Sequence, residues 1–238
     1  MIVSYVIPAH NEEESIGETL DEINDVAKKL LKKRIIKDYE IIVVNNNCSD
    51  KTEEIAKSKG AKVIFENKKG YGAAYKTGLK NAIGDVIITG DADASYPFCD
   101  SERFLKELEN CDFITTNRFA KLEEGSMPML NYFGNIVLTF VFRIVYLYNI
   151  KDSQSGMWIF KRSFLNEINL DLLSDGMAFS EEIKAIALML NKRIKEIPII
   201  YRKRVGSSKL RTFSDGLENL KELFRFKIRI ENFLKNKN

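Results

Sequence analysis

The segment VIITGDADASYP, residues 86–97, runs four β-forming residues into a glycine and then sets two aspartates two positions apart. In an extended backbone, side chains i and i+2 point to the same side. Asp91 and Asp93 therefore gather hard oxygen donors in one place. Such donors suit Mg²⁺ or Mn²⁺, ions that take few protein carboxylates and complete their shell with water and phosphate oxygens. A pair of acids at this spacing also serves ordinary turns. Its position behind a buried strand is what favours a cation.

Working outward, IVSYVI (2–7), EIIVVN (40–45), KVIFE (62–66) and DVIITG (85–90) read as strands buried on both faces. Helical patterns alternate with them. Residues 12–31 place Ile16, Leu20, Ile23, Ala27 and Leu30 near a helical period, with Asn11 as the expected cap. SDKTEEIAKSKG (49–60) sets Asp50 and Glu53 in capping-box spacing, and YGAAYKTGLKNAIG (71–84) is a third helix. This alternation predicts a parallel α/β sheet with right-handed crossovers and ligands at the carboxyl ends of its strands. PAHNE (8–12), NNNCSD (45–50) and GDADAS (90–95) all fall at those ends. Farther on, 112–119, 156–162 and 194–204 read as strands, and 178–193 and the last 24 residues as helices.

The glycines of KKGYGAA (68–74) make no dinucleotide fingerprint, because Tyr75 stands where a third glycine belongs. Gly70 and Gly72 are expected to let backbone pass close to a neighbour or ligand. Cys48, Cys99 and Cys111 form neither a disulfide framework nor a zinc pattern. His10 is the sole histidine, which excludes a multi-histidine metal centre; a turn or base-stacking role suits it better than catalysis. No signal peptide is expected, and no apolar run reaches the roughly 18 to 20 residues of a bilayer span. The net charge of +3 hides an asymmetry. Residues 192–238 carry 14 Lys and Arg against 5 Asp and Glu, which suggests an anionic partner near that end.

Five ordered motifs carry a resemblance: VIPAHNEEESI (6–16), NKKGYGAAYKTGLKNAIGD (67–85), GDADASYP (90–97), KDSQSGMWIFKRS (151–163) and IPIIYRKRVGSSKL (197–210). Together they resemble the family 2 glycosyltransferases of the GT-A fold, and within them the polyprenyl-phosphate sugar transferases typified by dolichyl-phosphate mannosyltransferase. The resemblance implies an α/β, Rossmann-like, mostly parallel sheet flanked by helices. It implies one GT-A unit over 1–210, including an interfacial helix about 131–148, with 211–238 as a basic amphipathic helix of the same unit. Pro8, Ala9, Glu12 and Asn46 would border the nucleotide, Asn46 standing where the family often has a base-reading aspartate. Asp91 would contact the ribose side, and Ala92 would belong to the nucleotide-sugar site. Asp93, with Ser95, would hold Mg²⁺ or Mn²⁺. Arg118 would meet a phosphate, and Asp152 would line the sugar and acceptor pocket; with Asp93 these are the candidate catalytic residues. Glu182 is a weaker match. Arg202, Arg204 and Lys209 would form a basic loop over donor and acceptor phosphates, with the register among Arg202, Lys203 and Arg204 open.

The activity implied is metal-dependent, inverting transfer of a sugar from a GDP- or UDP-linked donor to dolichyl or polyprenyl phosphate. A saccharide or other hydroxyl acceptor is the alternative on the same fold, and a non-catalytic nucleotide-binding module the alternative of another class. YFGNIVLTFVFRIVYLYN (132–149) is the expected membrane contact. Asn131, Asn135, Thr139 and Arg143 recur every four residues as a polar stripe on it, with Arg143 able to snorkel to headgroups. Burial in the core or in a homodimer contact is the competing reading of that helix. The expected location is cytoplasmic, peripheral on the inner face of the cell membrane. The anionic partner is then lipid, not nucleic acid.

Overall fold

The computed structural model describes residues 1–206 and 212–235, with backbone alone at 212–215, 217, 218 and 232–235. Its first half is β1 (Ile2–Ala9), α1 (Ile16–Lys32), β2 (Asp38–Asn45), α2 (Thr52–Ser58), β3 (Lys62–Phe65), α3 (Tyr71–Asn81) and β4 (Val86–Thr89). The four strands pair in parallel, as the alternation predicts. The second half adds α4 (Ser101–Leu108), β5 (Phe113–Leu122), α5 (Met129–Tyr146), β6 (Trp158–Lys161), α6 (Arg162–Glu167), α7 (Phe179–Met189), β7 (Ile194–Tyr201) and α8 (Thr212–Lys235).

The sheet order is β3-β2-β1-β4-β6-β5-β7. β6 runs antiparallel to both β4 and β5, so the sheet is mostly parallel rather than wholly so. The chain leaves β5 through α5 and slots back between β4 and β5. Alternation along β1 feeds two cores. Val3, Tyr5 and Ile7 pack toward α1 and α4, with Leu20, Ile23, Phe98 and Phe104. Val6 packs toward α3 and α7, with Ile42, Tyr75, Trp158 and Phe179. α8 closes over α5 and α7.

Local details differ from the sequence reading. α1 begins at Ile16, after a turn over 12–15. Asn11 takes a left-handed φ of 55° instead of capping the helix, and its Oδ1 accepts from the Ser49 amide at 2.7 Å. Asp50 does hold the start of α2, accepting from the Thr52 amide at 3.0 Å. Glu53 turns to Asn45 and Lys57 instead of reaching back.

The close neighbour of the glycine pair is the segment 174–176. Gly72 donates to Gly176 O at 3.2 Å, and Ala73 to Asp175 O at 3.0 Å. A Cβ on Gly72 would lie 2.2 Å from Ser174 O and 2.8 Å from Phe179 Cβ. Overpacking costs about 1–3 kcal/mol, against a gain of up to about 1 kcal/mol in helix propensity. Gly72→Ala is therefore expected to lower the urea midpoint. An unchanged midpoint would refute this packing.

Candidate active site

The end of β4 is a constructed bend. Ala94 has a φ of 62°, and Thr19 of α1 pins the bend by donating to Ala92 O at 3.0 Å and accepting from the Ala94 amide at 3.1 Å. Asp93 Oδ1 accepts from the Ser95 amide at 3.0 Å and from Ser95 Oγ at 2.5 Å. That leaves Oδ2 facing Arg204 Nη2 at 3.3 Å. Ser95, expected beside Asp93 as an ion ligand, is fully buried and belongs to the lining of neither cavity described below. Its hydroxyl is turned to the carboxylate, so it orients Asp93 from behind.

Asp91 sits on the same side of the bend. Burial and the Asp93 charge push its carboxyl up to about 7, while Tyr71 donates to its Oδ1 at 3.3 Å. A cation relieves the repulsion between a buried Asp93 and a half-buried Asp91, so the donor set fits a hard divalent ion. Among the described residues no group of three or more His, Cys, Asp or Glu is placed to hold a metal. Water or substrate oxygens would have to complete its shell.

Two cavities meet at this tip. The first, about 340 Å³, is lined by Pro8, Ala9, His10, Glu12, Asn46, Asp91, Ala92, Asp93 and Arg204 among others. It thus gathers eight of the expected nucleotide-side residues from three strand ends and the basic loop. Asn46 is heavily engaged there: its Nδ2 donates to Glu66 O at 3.2 Å and Lys68 O at 2.8 Å, and its Oδ1 accepts from the Gly70 amide at 2.9 Å. Its amide thereby fixes the 66–70 loop as a wall of the cavity. His10 Nδ1 donates to Asn46 O at 2.7 Å and ties the ends of β1 and β2 together.

The basic loop splits. Arg204 reaches both cavities. Arg202, expected over phosphate, points away and forms a bidentate pair with Glu22 of α1 at 2.6 and 3.0 Å. Lys203 is exposed. Lys209 lies outside the described residues.

The second cavity, about 510 Å³, shares Tyr71, Asp91, Asp93, Met177 and Arg204 with the first and continues past Arg118 to α5 and α8. Arg118 is gripped by Asp152: Nε to Oδ2 at 2.7 Å, Nη2 to Oδ1 at 2.9 Å, and the backbone amide to Oδ2 at 3.1 Å. Burial would raise the Asp152 carboxyl, but the guanidinium holds it below the usual carboxylate range. Asp152 is fully buried and lines neither cavity, contrary to the expectation that it lines the sugar pocket. It reaches the cavity only through Arg118.

Beneath this pair lies Lys184, which the sequence reading passed over inside the apolar run of α7. It is fully buried, donates to Ser153 O and Ser155 O at 2.6 Å each, and ties down the DSQSG loop; burial pulls it down to about 7. Glu182 also lines neither cavity. It accepts from the Ser174 amide and pairs with Arg229 of α8 at 3.0 Å. Gly156 completes the loop. Its amide donates to Tyr96 Oη at 2.7 Å, and a Cβ there would lie 2.3 Å from Tyr71 Oη and 3.4 Å from Asp91 Oδ1. The glycine of this motif is what lets Tyr71 reach Asp91.

α5 is inverted relative to a surface helix of a globular protein. Thr139 is buried against Ser153, at 3.2 Å between hydroxyls, and Arg143 Nε donates to Ile150 O at 2.5 Å instead of reaching outward. Met129, Leu130, Phe133, Ile136, Val137, Phe140 and Ile144 form the outer face, each 40–69% exposed. The helix starts at Met129, and its 18 residues are long and apolar enough, by length and composition, to cross a membrane.

A mostly parallel sheet with paired acids at the β4 tip, opening on two joined cavities, defines the GT-A class of architecture. Glucosyl-3-phosphoglycerate synthase of Mycobacterium tuberculosis, crystallised with Mn²⁺, UDP and glucosyl-3-phosphoglycerate, shares it with a TM-score of 0.69 at 18% identity, over 95% of this chain and 78% of that one. The family model for glycosyl transferase family 2 matches residues 4–168, and the chain belongs to that family of enzymes. It is 33% identical to the low-salt glycan biosynthesis hexosyltransferase Agl6 of Haloferax volcanii, over 92% of this chain but 52% of that protein, about half its length. It is 30% identical to a dolichyl-phosphate hexose transferase of the same organism, over 90% of this chain and 89% of the relative.

Removing one partner of a buried ion pair leaves an uncompensated charge, at a cost of about 3–5 kcal/mol. Asp152→Ala should lose stability on that scale in equilibrium unfolding, and a loss under about 1 kcal/mol would contradict the buried pair. Glu182 gives a pH signature. Burial, opposed by the Ser174 amide and Arg229, pushes its carboxyl up to about 7. A raised carboxyl binds its proton more tightly in the folded chain. Its stabilisation is full below about 4.5 and is lost as pH rises through about 7. The stability difference between Glu182→Gln and wild type should therefore drift across that window; a pH-independent difference would refute the shift.

Proposed function

We propose that the protein transfers a hexose from a nucleoside-diphosphate sugar to a dolichyl or polyprenyl phosphate lying in a membrane. One observation carries this reading: the two cavities meet at Asp91, Asp93 and Arg204, and the second runs out beneath the apolar outer face of α5. A hydrophilic donor and a lipid acceptor need such a junction between a polar entrance and an apolar one. The relative named a dolichyl-phosphate hexose transferase supports the acceptor, and the UDP and Mn²⁺ bound by the structural neighbour support a nucleotide-sugar donor and a divalent ion.

Sugar transfer breaks an anomeric C–O bond through an oxocarbenium-like transition state and releases charge onto the diphosphate. Mg²⁺ or Mn²⁺ held by Asp93 and Asp91 would supply neutralisation of that charge when bound. Pro8, Ala9, Glu12, Asn46 and Ala92 frame the nucleotide, and a GDP- or UDP-linked donor suits the cavity. Arg204 leaves Asp93 for the donor phosphates, while Arg118, aimed by Asp152, receives the acceptor phosphate. A phosphate monoester has a second pKa near 6 and is a nucleophile at neutral pH without a general base. Asp91 and Asp93 are the acids in the described lining of the second cavity, which favours phosphate over a hydroxyl acceptor. Attack from the face opposite the diphosphate inverts the anomeric centre.

The outward apolar face of α5, with Phe224 and Ile228 exposed on α8, would lie in the lipid interface. α5 lies flat because its polar stripe is bonded to the body. The basic surplus of residues 192–238 would add attraction to anionic lipid, on the order of 1 kcal/mol for each Lys or Arg that lies at the surface. We place the protein peripherally on the cytoplasmic face, with 1–210 and 211–238 acting as one unit.

The test uses the full chain with Mg²⁺ or Mn²⁺, a polyprenyl phosphate and a panel of labelled nucleotide-sugars. Label should enter the lipid phase. Asp93→Asn should lower the rate by about 10²-fold or more and Arg204→Ala by about 10–10²-fold, whereas Arg202→Ala should stay within about threefold of wild type. Label passing only to a water-soluble saccharide, or equal effects of the two arginines, would contradict the reading.

A further inference from the structure

One wall of the second cavity is built from amides far apart in sequence: Gln154 of the DSQSG loop and Asn219 of α8, the latter beyond the span matched by the family model. Gln154 Nε2 donates to Ser153 Oγ at 2.8 Å and also to Glu181 Oε1. Both amide hydrogens are therefore committed, and Oε1 is what Gln154 has left to offer. Asn219 is 6% exposed and reaches that oxygen with Nδ2 at only 3.5 Å. Its own Oδ1 is buried with no hydrogen-bond partner, and so is Oγ of Ser126 on the same cavity.

Arg118 and Arg204 supply cations to this cavity, Asp91 and Asp93 carboxylates, and Gln154 and Asn219 amide oxygens. A buried acceptor without a donor is destabilising, and a ligand O–H would relieve it. An ionised phosphate has no hydrogen to offer those oxygens. A polyprenyl phosphate brings only an anionic head and an apolar tail, so the hydroxyl-bearing ligand is the sugar. Gly156, two residues after Gln154, packs against Tyr71 and Asp91, which puts the amides within the same cavity as the paired acids.

We propose that Gln154 and Asn219 select the transferred hexose by accepting hydrogen bonds from its hydroxyls, with Glu181 as a positioning residue that holds Gln154 in that orientation. This rests on the sugar-transfer reading above. Glu181 itself is 1% exposed and lines neither cavity, so it acts through Gln154.

The experiment compares the preferred nucleotide-sugar with donors lacking one hydroxyl at a time, by kcat/KM and by calorimetric affinity. The chains are wild type, Gln154→Ala, Asn219→Ala, Glu181→Ala and Glu181→Gln, each checked by circular dichroism. Wild type should lose about 10–10²-fold on the deoxy donor whose hydroxyl is read. The alanine variants at 154 and 219 should discriminate less than about threefold, because the acceptor is already gone. Glu181→Gln should retain the discrimination and Glu181→Ala should lose it. If Gln154→Ala fails to fold, Asn219→Ala decides alone. A uniform loss across all donors, with wild-type discrimination kept, overturns the assignment. A wild-type chain that binds nucleoside diphosphate and nucleotide-sugar with equal affinity overturns it too. Binding of neither would instead sink the sugar-transfer reading, and this assignment with it.

Discussion

Two carboxylates set side by side at the end of a strand, Asp93 buried and Asp91 half-buried, are unfavourable unless something positive meets them. That constraint organises this molecule. Asp91 and Asp93 lie at the carboxyl end of β4, and burial plus mutual repulsion raise the Asp91 carboxyl. The chain around them restricts their movement. Ser95 and Thr19 hold the bend, Tyr71 reaches Asp91 over a residue that must be glycine, and Arg204 answers Asp93. A site held this firmly can stabilise developing charge without reorganising when the charge appears.

The same logic repeats one layer down. Arg118, Asp152, Lys184, Glu181 and Glu182 are all buried, and three of them sit on α7. Buried ion pairs are weak evidence for stability, because desolvation offsets much of their attraction. Their arrangement here serves position instead. Asp152 aims Arg118, Lys184 ties the DSQSG loop from below, and Glu182 couples α7 to α8. α8 therefore helps complete a cavity wall as well as covering the core.

Much of this was legible in the sequence where the signal is local. The β-former runs and helical periods of residues 1–90 placed β1 to β4 and the helices between them, and strand ends located PAHNE, NNNCSD and GDADAS together. Legibility failed where the partner is distant. Nothing near Arg202 announces Glu22, 180 residues earlier, so the basic loop could not be split into an inward and an outward arginine. Ser95 follows Asp93 closely enough to suggest a shared ion, yet the left-handed Ala94 turns it underneath. The antiparallel entry of β6 depends on where α5 returns the chain, which periodicity does not encode. Lys184 and Glu181 were hidden because a helix buried all round makes its charges look like ordinary surface residues. The polar stripe of α5 was visible, but which side faces water was not; the stripe faces the body.

Sugar transfer at this site requires Asp93 to exchange its arginine for an ion and a diphosphate. Anomalous diffraction from crystals grown with Mn²⁺ and the nucleoside diphosphate tests this most directly. A manganese peak is expected bonded to the Asp93 carboxylate and to phosphate oxygens, with the Arg204 guanidinium moved from Asp93 Oδ2 to the diphosphate. A nucleotide bound with no peak at that carboxylate, and with the Asp93–Arg204 pair intact, would contradict it.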